Sequence, residues 1–280
     1  MKNKNEITND DRNKIIELFY QGMHYGEICK IIDCSERAVQ YAIKSRGIEA
    51  RRKNRYTLNE NFFNKIDSEE KAYFLGLLFA DGFVGDVKRN DISLSASSIN
   101  KDILEKFTTS IEFTGNIRRV KSKTGYHTEN DIFTVNFSSK IMCDDLRKYG
   151  MTGLKIDRLN ATINAAIPKN LIGHFYRGYV DGDGCIGIRN NSRSINGKMY
   201  NYQQPYIILI STQQFLDGFV ANAGITSVHL KKSKTDYMQY VRILKKKDVK
   251  TALAFLYKDA HIYLDRKFNS YKKCLELLSK

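Results

Sequence analysis

The chain has 280 residues and a formal charge of +15, from 46 Lys and Arg against 31 Asp and Glu. A hydrophobic content of 42% is enough for packed cores and excludes a mainly disordered protein. Five cysteines without a CxxC pair argue against a disulfide scaffold or a zinc module, and no apolar run approaches the roughly 20 residues of a membrane helix.

The surplus of positive charge favours a polyanionic partner, and nucleic acid is the first candidate. No membrane partner is expected. The polar segment 1–10 lacks the apolar stretch of a secretory signal, so we expect a cytoplasmic protein.

Residues 1–55 are predicted to form a small all-helical domain. The apolar spacing predicts three short helices, with Asn9 or Asp10 capping the first, Ser35 capping the third and Gly47 ending it. Two short helices joined by a tight turn are typical of helix-turn-helix DNA-binding modules. The candidate DNA contacts lie on the outer side of the third helix and in the basic tail: Arg37, Gln40, Tyr41, Lys44, Arg51 and Arg52. The alternative is a three-helix bundle with a solvated charged face.

Residues 56–67 are polar with isolated apolar positions and are predicted to be a linker. The hydrophobic periodicity is stronger from residue 68 onward, which predicts a second domain over 68–280.

This second domain contains an internal repeat. Segment 71–85 is similar to segment 172–187, and each is an apolar helix that ends in Asp-Gly. Strand-like and helical segments follow in the same order in both copies. The repeat predicts two similar αββαββα halves, about 68–165 and 166–280, related by a pseudo-twofold axis. Helices mixed with close hairpins indicate an α+β class.

Two glycines and two aspartates stand at matching positions of the repeat. Gly76 and Gly178 would allow the two helices to approach closely, and Asp81 and Asp183 would then meet near the axis. Paired carboxylates in a basic surrounding attract a hard divalent cation, Mg²⁺ or Mn²⁺, with Gly82 and Gly184 as neighbouring backbone. The alternative is that each aspartate simply ends a helix before a turn.

The nonapeptides FLGLLFADG (74–82) and YRGYVDGDG (176–184) closely resemble the two motifs of the LAGLIDADG homing endonucleases. The resemblance covers about residues 68–280. It implies a DNA-binding saddle built by the two halves, with Asp81 and Asp183 as catalytic metal ligands. It also implies metal-dependent cleavage of double-stranded DNA at a long asymmetric target, by a monomer without a protein partner. Such enzymes belong to mobile elements, so the expected setting is the cytoplasm of a bacterial or phage-infected cell, with the enzyme at the nucleoid when it acts.

Two lysines, Lys155 and Lys267, fall at similar places of the repeat and are further catalytic candidates, because lysine stabilises charge that develops on phosphate. Arg158 and Arg266 are lesser candidates on the same segments. The alternative is solvated surface charge. Asp181 has Phe79 as its counterpart, so symmetry gives it no shared catalytic role.

Polar side chains that alternate along strands would read or anchor DNA. The candidates are Arg118, Arg119, Lys121, Arg189, Asn191, Arg193, Lys198, Lys231, Lys232 and Arg242. We expect the segment 189–202 to form a long hairpin loop that reaches along the DNA; the alternative is a flexible solvated loop.

A non-cleaving protein on the same scaffold is the alternative function. It would be either a transcriptional regulator or an RNA maturase whose partner is its own intron RNA. Intact acids at both motifs favour catalysis, although a maturase can also keep both.

Overall fold

The structure is a computed structural model. It describes the chain except residues 22, 24, 49–55, 122–130, 152–153, 160–165, 233–237 and 280, and except the side chains of 155, 156 and 229–232. The chain divides into two compact units, Met1–Arg55 and Tyr56–Lys280. Among the described residues, no helix combines the length and the apolar content needed to cross a membrane.

The first unit consists of three helices around its own core. They are α1 (Asn9–Tyr20), α2 (Tyr25–Ile32) and α3 (Glu36–Ser45). The cap of α1 is Thr8, rather than Asn9 or Asp10, because Thr8 and Asp11 form a reciprocal capping box. The predicted cap of α3 is present, since the Ser35 hydroxyl accepts from the Ala38 amide at 3.2 Å. Asp33 has a φ of 49° in the tight turn between α2 and α3.

Residues 56–67 belong to the second unit and differ from the expected linker. Phe62, Phe63 and Ile66 are buried in its core, and the Tyr56 hydroxyl accepts from the Ser138 amide at 2.8 Å. The isolated apolar residues of this segment are buried core residues. The sequence pattern alone does not distinguish them from exposed apolar residues of a linker.

The second unit contains the repeat as two halves of the same element order. The first half comprises α4 (Glu69–Asp81), β1 (Gly82–Val84), β2 (Asp91–Ser97), α5 (Lys101–Ser110), β3 (Arg118–Lys121), β4 (Asp131–Ser138), α6 (Lys140–Lys148) and α7 (Lys155–Leu159). The second half comprises α8 (Ile172–Asp183), β5 (Gly184–Ile195), β6 (Lys198–Ser211), α9 (Gln213–Ala223), β7 (His229–Lys232), β8 (Gln239–Ile243), α10 (Lys246–Tyr257) and α11 (Asp265–Leu278). Each half therefore has the predicted αββαββα order, followed by one additional helix.

Each half builds one antiparallel sheet of four strands, in the orders β1-β2-β4-β3 and β5-β6-β8-β7. Alternate residues such as Ile92, Leu94, Ile207 and Leu209 are buried on one face of each sheet, within one hydrophobic core. The other face, called here the outer face, carries the residues of opposite parity. The α+β class predicted from the sequence is confirmed.

The two halves differ most in their first hairpins. Strand β1 has 3 residues, whereas β5 has 12 and pairs with β6 along its whole length. The turn between β5 and β6 is Asn196-Gly197, and both residues have positive φ, 50° and 76°. Such a turn matches the twist of a tight two-residue hairpin. The expected long hairpin is therefore present in the second half.

Candidate active site and nucleic-acid interface

The two motif helices, α4 and α8, touch backbone to backbone at their glycines. A Cβ on Gly76 would lie 1.9 Å from the carbonyl oxygen of Phe175, and a Cβ on Gly178 would lie 1.9 Å from that of Tyr73. No side chain fits into either contact. The glycines therefore set the spacing of the helices and with it the spacing of whatever stands at their ends.

Both motif helices end at an aspartate. Asp81 is exposed and Asp183 is half-buried, and Gly82 or Gly184 continues directly into β1 or β5. A Cβ on Gly182 would lie 2.9 Å from Oδ2 of Asp81. The Asp81 carboxylate thus lies against the end of the opposite motif helix, one residue before Asp183. The fold brings the two predicted metal ligands to one place.

A buried cation holds the end of each motif helix. Arg158 donates through Nη1 to the Gly82 carbonyl at 2.9 Å. Lys267 donates to the carbonyls of Gly184 at 2.7 Å, Asp181 at 2.8 Å and Val180. The two cations are equivalent in the repeat because they cap Gly82 and Gly184, which are equivalent glycines.

This geometry gives Lys267 and the two glycines contacts that the sequence did not reveal. The Lys267 side chain is only 3% exposed, and the three carbonyls match the three protons of its ammonium group. It positions the helix end instead of facing a phosphate. The Gly82 and Gly184 carbonyls bind these cations. Lys155 begins α7, but its side chain lies outside the described residues; the structural counterpart of Lys267 is Arg158, a lesser candidate in the sequence.

The electrostatics couple Arg158 to both acids. Burial lowers the pKa of the Arg158 guanidinium, and the nearby Tyr179, Asp183 and Asp81 oppose that shift. Burial likewise lowers the pKa of Lys267, against the attraction of Asp181 and, more weakly, of Asp81. Two partly desolvated cations, Arg158 and Lys267, are therefore close enough to attract the carboxylates of the site.

Tyr179 is a site residue that the sequence did not single out. Its hydroxyl lies 3.0 Å from both the Ile210 carbonyl oxygen and Ser211 Oγ, and it also hydrogen-bonds Asp183. Burial raises the pKa of Tyr179, with a further contribution from Asp183. The signal available in the sequence was its spacing, since Tyr179 precedes Asp183 by one helical turn. The equivalent residue before Asp81 is Leu77.

Asp181 lines the same cavity as Asp81, but its side chain is held by hydrogen bonds to other elements. It is 3% exposed, and its Oδ2 accepts from the Tyr73 hydroxyl and from the Leu264 amide, both at 2.7 Å. Burial raises the pKa of this carboxyl. Asp181 connects α8 to α4 and to the segment before α11.

The carboxylates of Asp81 and Asp183 fit a magnesium-like ion whose remaining ligands would come from water and a substrate phosphate. Within the described residues, no group of three or more His, Cys, Asp or Glu side chains surrounds a common point. Asp81 and Asp183 supply two hard carboxylates. Mg²⁺ is commonly held by one or two carboxylates while water and phosphate oxygens complete the octahedron, so the two acids match that mode.

The candidate DNA contacts of β5 and β6 share the outer face of the second sheet. The strand register places three basic side chains on the face opposite the buried Ile186 and Ile207. They are Arg189, which pairs with Gln204, Arg193, which pairs with Tyr200, and Lys198, which pairs with Ile195. Asn191 has the same parity as Arg189. Arg242 pairs with Ile208 and also falls on this face.

In the first sheet, the three basic candidates of β3 divide between two faces. Arg118 pairs with Thr134 on the outer face. Arg119 and Lys121 pair with Phe133 and Asp131 on the opposite face, and Arg119 forms an ion pair with Asp131 at 2.5 Å. Adjacent strand residues point in opposite directions, so the register separates Arg118 from Arg119 and Lys121, and DNA contact by each of them stays a prediction.

The remaining candidates are placed as follows. Arg37, Gln40, Tyr41 and Lys44 are all exposed on α3, opposite the buried Ala38, Val39, Ala42 and Ile43. Lys231 and Lys232 pair with Tyr240 and Gln239, but their side chains lie outside the described residues. Arg51 and Arg52 lie wholly outside them.

Solved structures with a similar fold are DNA endonucleases. The LAGLIDADG homing endonuclease I-LtrWI, bound to target DNA, has a TM-score of 0.51 and 13% identity over 79% of this chain and 92% of its own. The meganuclease I-SmaMI, bound to uncleavable DNA, has 0.52 and 13% over 75% and 91%. The LAGLIDADG meganuclease I-AabMI, bound to uncleaved DNA, has 0.51 and 11% over 74% and 89%. No protein-family model matches the sequence, and no curated protein matches it.

Proposed function

Because the chain has the fold of the LAGLIDADG homing endonucleases, we propose that it is a metal-dependent, sequence-specific endonuclease. Its substrate is double-stranded DNA with a long asymmetric target, and it hydrolyses one phosphodiester bond in each strand. The enzyme acts as a monomer, since one chain contains both halves of the site.

The observation that carries this proposal is the convergence of Asp81 and Asp183 at the ends of two helices in backbone contact. A pseudo-twofold pair of acids matches the approximate twofold symmetry of duplex DNA, so that each carboxylate serves one strand. Two carboxylates held close together repel each other, and a bound divalent cation would offset that repulsion.

The residues of the site would have three distinct roles in this reaction. Asp81 and Asp183 bind Mg²⁺ or Mn²⁺, which when bound stabilises negative charge on the phosphate oxygens. Arg158 and Lys267 hold the helix ends so that the carboxylates keep their separation. Tyr179 orients Asp183 through its hydroxyl.

The outer faces of the two sheets would contact the duplex. The extended hairpin of β5 and β6 presents Arg189, Asn191, Arg193 and Lys198 on one face, whereas the first hairpin is short. Unequal hairpins favour an asymmetric target. The exposed side chains of α3 favour a further major-groove contact by the first unit, which would extend the footprint or regulate expression.

Incubation of the full chain with a library of randomised duplexes and Mg²⁺ tests the proposal. We expect a defined set of duplexes to be cut in both strands, and Asp81→Asn and Asp183→Asn each to reduce cleavage by at least about a hundredfold. Asp217→Asn, at an exposed acid of α9, is the matched control and should cut like the native chain.

The other outcomes separate the alternatives. Retention of specific duplexes without any cut would contradict the nuclease and favour a transcriptional regulator. Selective binding of the chain's own intron RNA, with promotion of its splicing, would favour a maturase. Cleavage that persists in both aspartate variants would contradict the site.

A further inference from the structure

Gln204 lies where the second sheet narrows from several strands to a two-stranded ribbon. It pairs with Arg189, and β8 ends nearby at Ile243. The side-chain Nε2 of Gln204 donates to the carbonyl of Leu244, the next residue, at 2.9 Å. This bond fixes the orientation of the amide, so its oxygen points toward the hairpin.

Three donors converge on that amide oxygen. Arg189 donates through Nε at 3.0 Å and through Nη2 at 2.6 Å, and Asn191 donates through Nδ2 at 2.8 Å. All three residues share the outer face. A single glutamine therefore holds both side chains of the hairpin that lie nearest the sheet.

The hydrogen bonds use one edge of the Arg189 guanidinium and leave the other available. Nε and the adjacent proton of Nη2 face Gln204, so the fork formed by Nη1 and the outer proton of Nη2 points away from it. Within the described part of the chain, Nη1 has no hydrogen-bond partner. This fork has the geometry that binds O6 and N7 of guanine in the major groove.

We propose that Gln204 is a positioning residue that orients Arg189 to read one guanine of the target. The inference rests on the proposed function, because it requires the hairpin to enter the major groove. A phosphate contact needs only a nearby positive charge. A guanidinium held at two nitrogens by a side chain that is itself tied to the backbone has the fixed direction that base recognition requires.

Binding selection tests this inference without cleavage. The full chain, in EDTA, is mixed with randomised duplexes, and the retained sequences are read. We expect one target position with a strong preference for guanine, which Arg189→Ala abolishes. Gln204→Met should reduce that preference by about tenfold while retention of non-target duplex stays within about twofold. Gln204→Glu keeps the acceptor for Arg189 but loses the donor to the Leu244 carbonyl, so it should restore only part of the guanine preference.

Gln203→Met is the matched control, because Gln203 faces the other side of the ribbon and donates to Asn190 at 3.3 Å. It should leave the preference unchanged. An undiminished guanine preference in Gln204→Met would overturn the inference, as would an Arg189→Ala variant that weakens all duplexes equally. Circular dichroism establishes that each variant is folded. If the native chain selects no duplex at all, the proposed function itself fails, which is a separate outcome.

Discussion

Arg177 of α8 and Glu69, the first residue of α4, form an ion pair at 2.6 Å across the two halves. Arg177 is fully buried. Its guanidinium also donates to the carbonyls of Leu256 at 2.8 Å and Ile262 at 3.0 Å. One side chain thus joins both motif helices to the segment that leads into α11.

Removal of this charge should destabilise the second unit. Arg177→Met leaves Glu69 partly buried without its main cationic partner, so the free energy of unfolding should fall by about 3–5 kcal/mol. Urea denaturation followed by far-UV circular dichroism measures the change. Arg189→Met, on the exposed hairpin, should change it by less than about 0.5 kcal/mol; equal effects of the two variants would contradict the role assigned to Arg177.

The contact between the motif helices should not tolerate a methyl group. Gly178→Ala places a Cβ against the Tyr73 carbonyl, and we expect a loss of about 1–3 kcal/mol in the free energy of unfolding. Gly26→Ala in α2, where no described residue lies within 4 Å of the new Cβ, should instead stabilise its helix by about 0.5–1 kcal/mol. A neutral Gly178→Ala would mean that the helices can separate without cost.

Loss of the Tyr179 hydroxyl should affect Asp183 but not Asp81. Tyr179 hydrogen-bonds Asp183, whereas the equivalent residue before Asp81 is Leu77, which has no hydroxyl. Tyr179→Phe should slow cleavage of one strand by about three- to tenfold, so that nicked duplex accumulates. A duplex labelled on each strand in turn measures the two rates. Tyr257→Phe is the control, because the Tyr257 hydroxyl is buried without a partner among the described residues. Equal slowing of both strands by Tyr179→Phe would argue against the assignment.

Asp181 should make stability depend on pH. Burial raises its pKa in the folded chain, so the folded state binds the proton more tightly than the unfolded state. The contribution of Asp181 to the free energy of unfolding is therefore favourable below its unfolded pKa of about 3.9. This contribution is lost as the pH rises through the folded pKa. Asp181→Asn should therefore stabilise the chain at pH 7, and the difference should shrink toward pH 4 in denaturation series.

Asp11 serves as a control for the denaturation series, because its pKa shift makes stability depend on pH in the opposite direction. Its hydrogen bond with Lys2, together with its capping role, lowers the pKa of Asp11 to about 2. The stabilisation is present above the unfolded pKa and disappears as the pH falls toward 2. Asp11→Asn should destabilise the first unit at pH 7 and have little effect near pH 2. An Asp181 variant with the same sign as the Asp11 variant would show that Asp181 is not penalised by burial.

The division of β3 between two faces predicts a difference in salt dependence. Arg118→Ala should reduce the slope of log K against log salt for duplex binding by about 0.9, the value for one phosphate contact. Arg119→Ala, on the other face and paired with Asp131, should leave the slope unchanged. Titrations at several salt concentrations measure both slopes, and a reversed pattern would contradict the strand register.

Local patterns in the sequence were sufficient for the secondary structure and for the acid pair. The helical spacing in 1–55, the two Asp-Gly motifs and the Asn-Gly turn each depend on residues close together in the chain, so the three-helix unit, the repeated halves and the long hairpin were predictable. Asp81 and Asp183 followed because a repeat with one acid in each copy requires the acids to be related by the same axis as the helices.

Only the tertiary structure decided which residues surround that pair. Arg158 caps Gly82 as Lys267 caps Gly184, residues 56–67 pack into the core, and Arg118 alone of the β3 candidates shares the outer face. These outcomes depend on strand register and on contacts between residues distant in the chain. A shift of one residue moves a side chain to the other face of a sheet, and burial turns a surface cation into a cap for a helix end. The sequence therefore determined where the two acids meet, and the packing determined what holds them there.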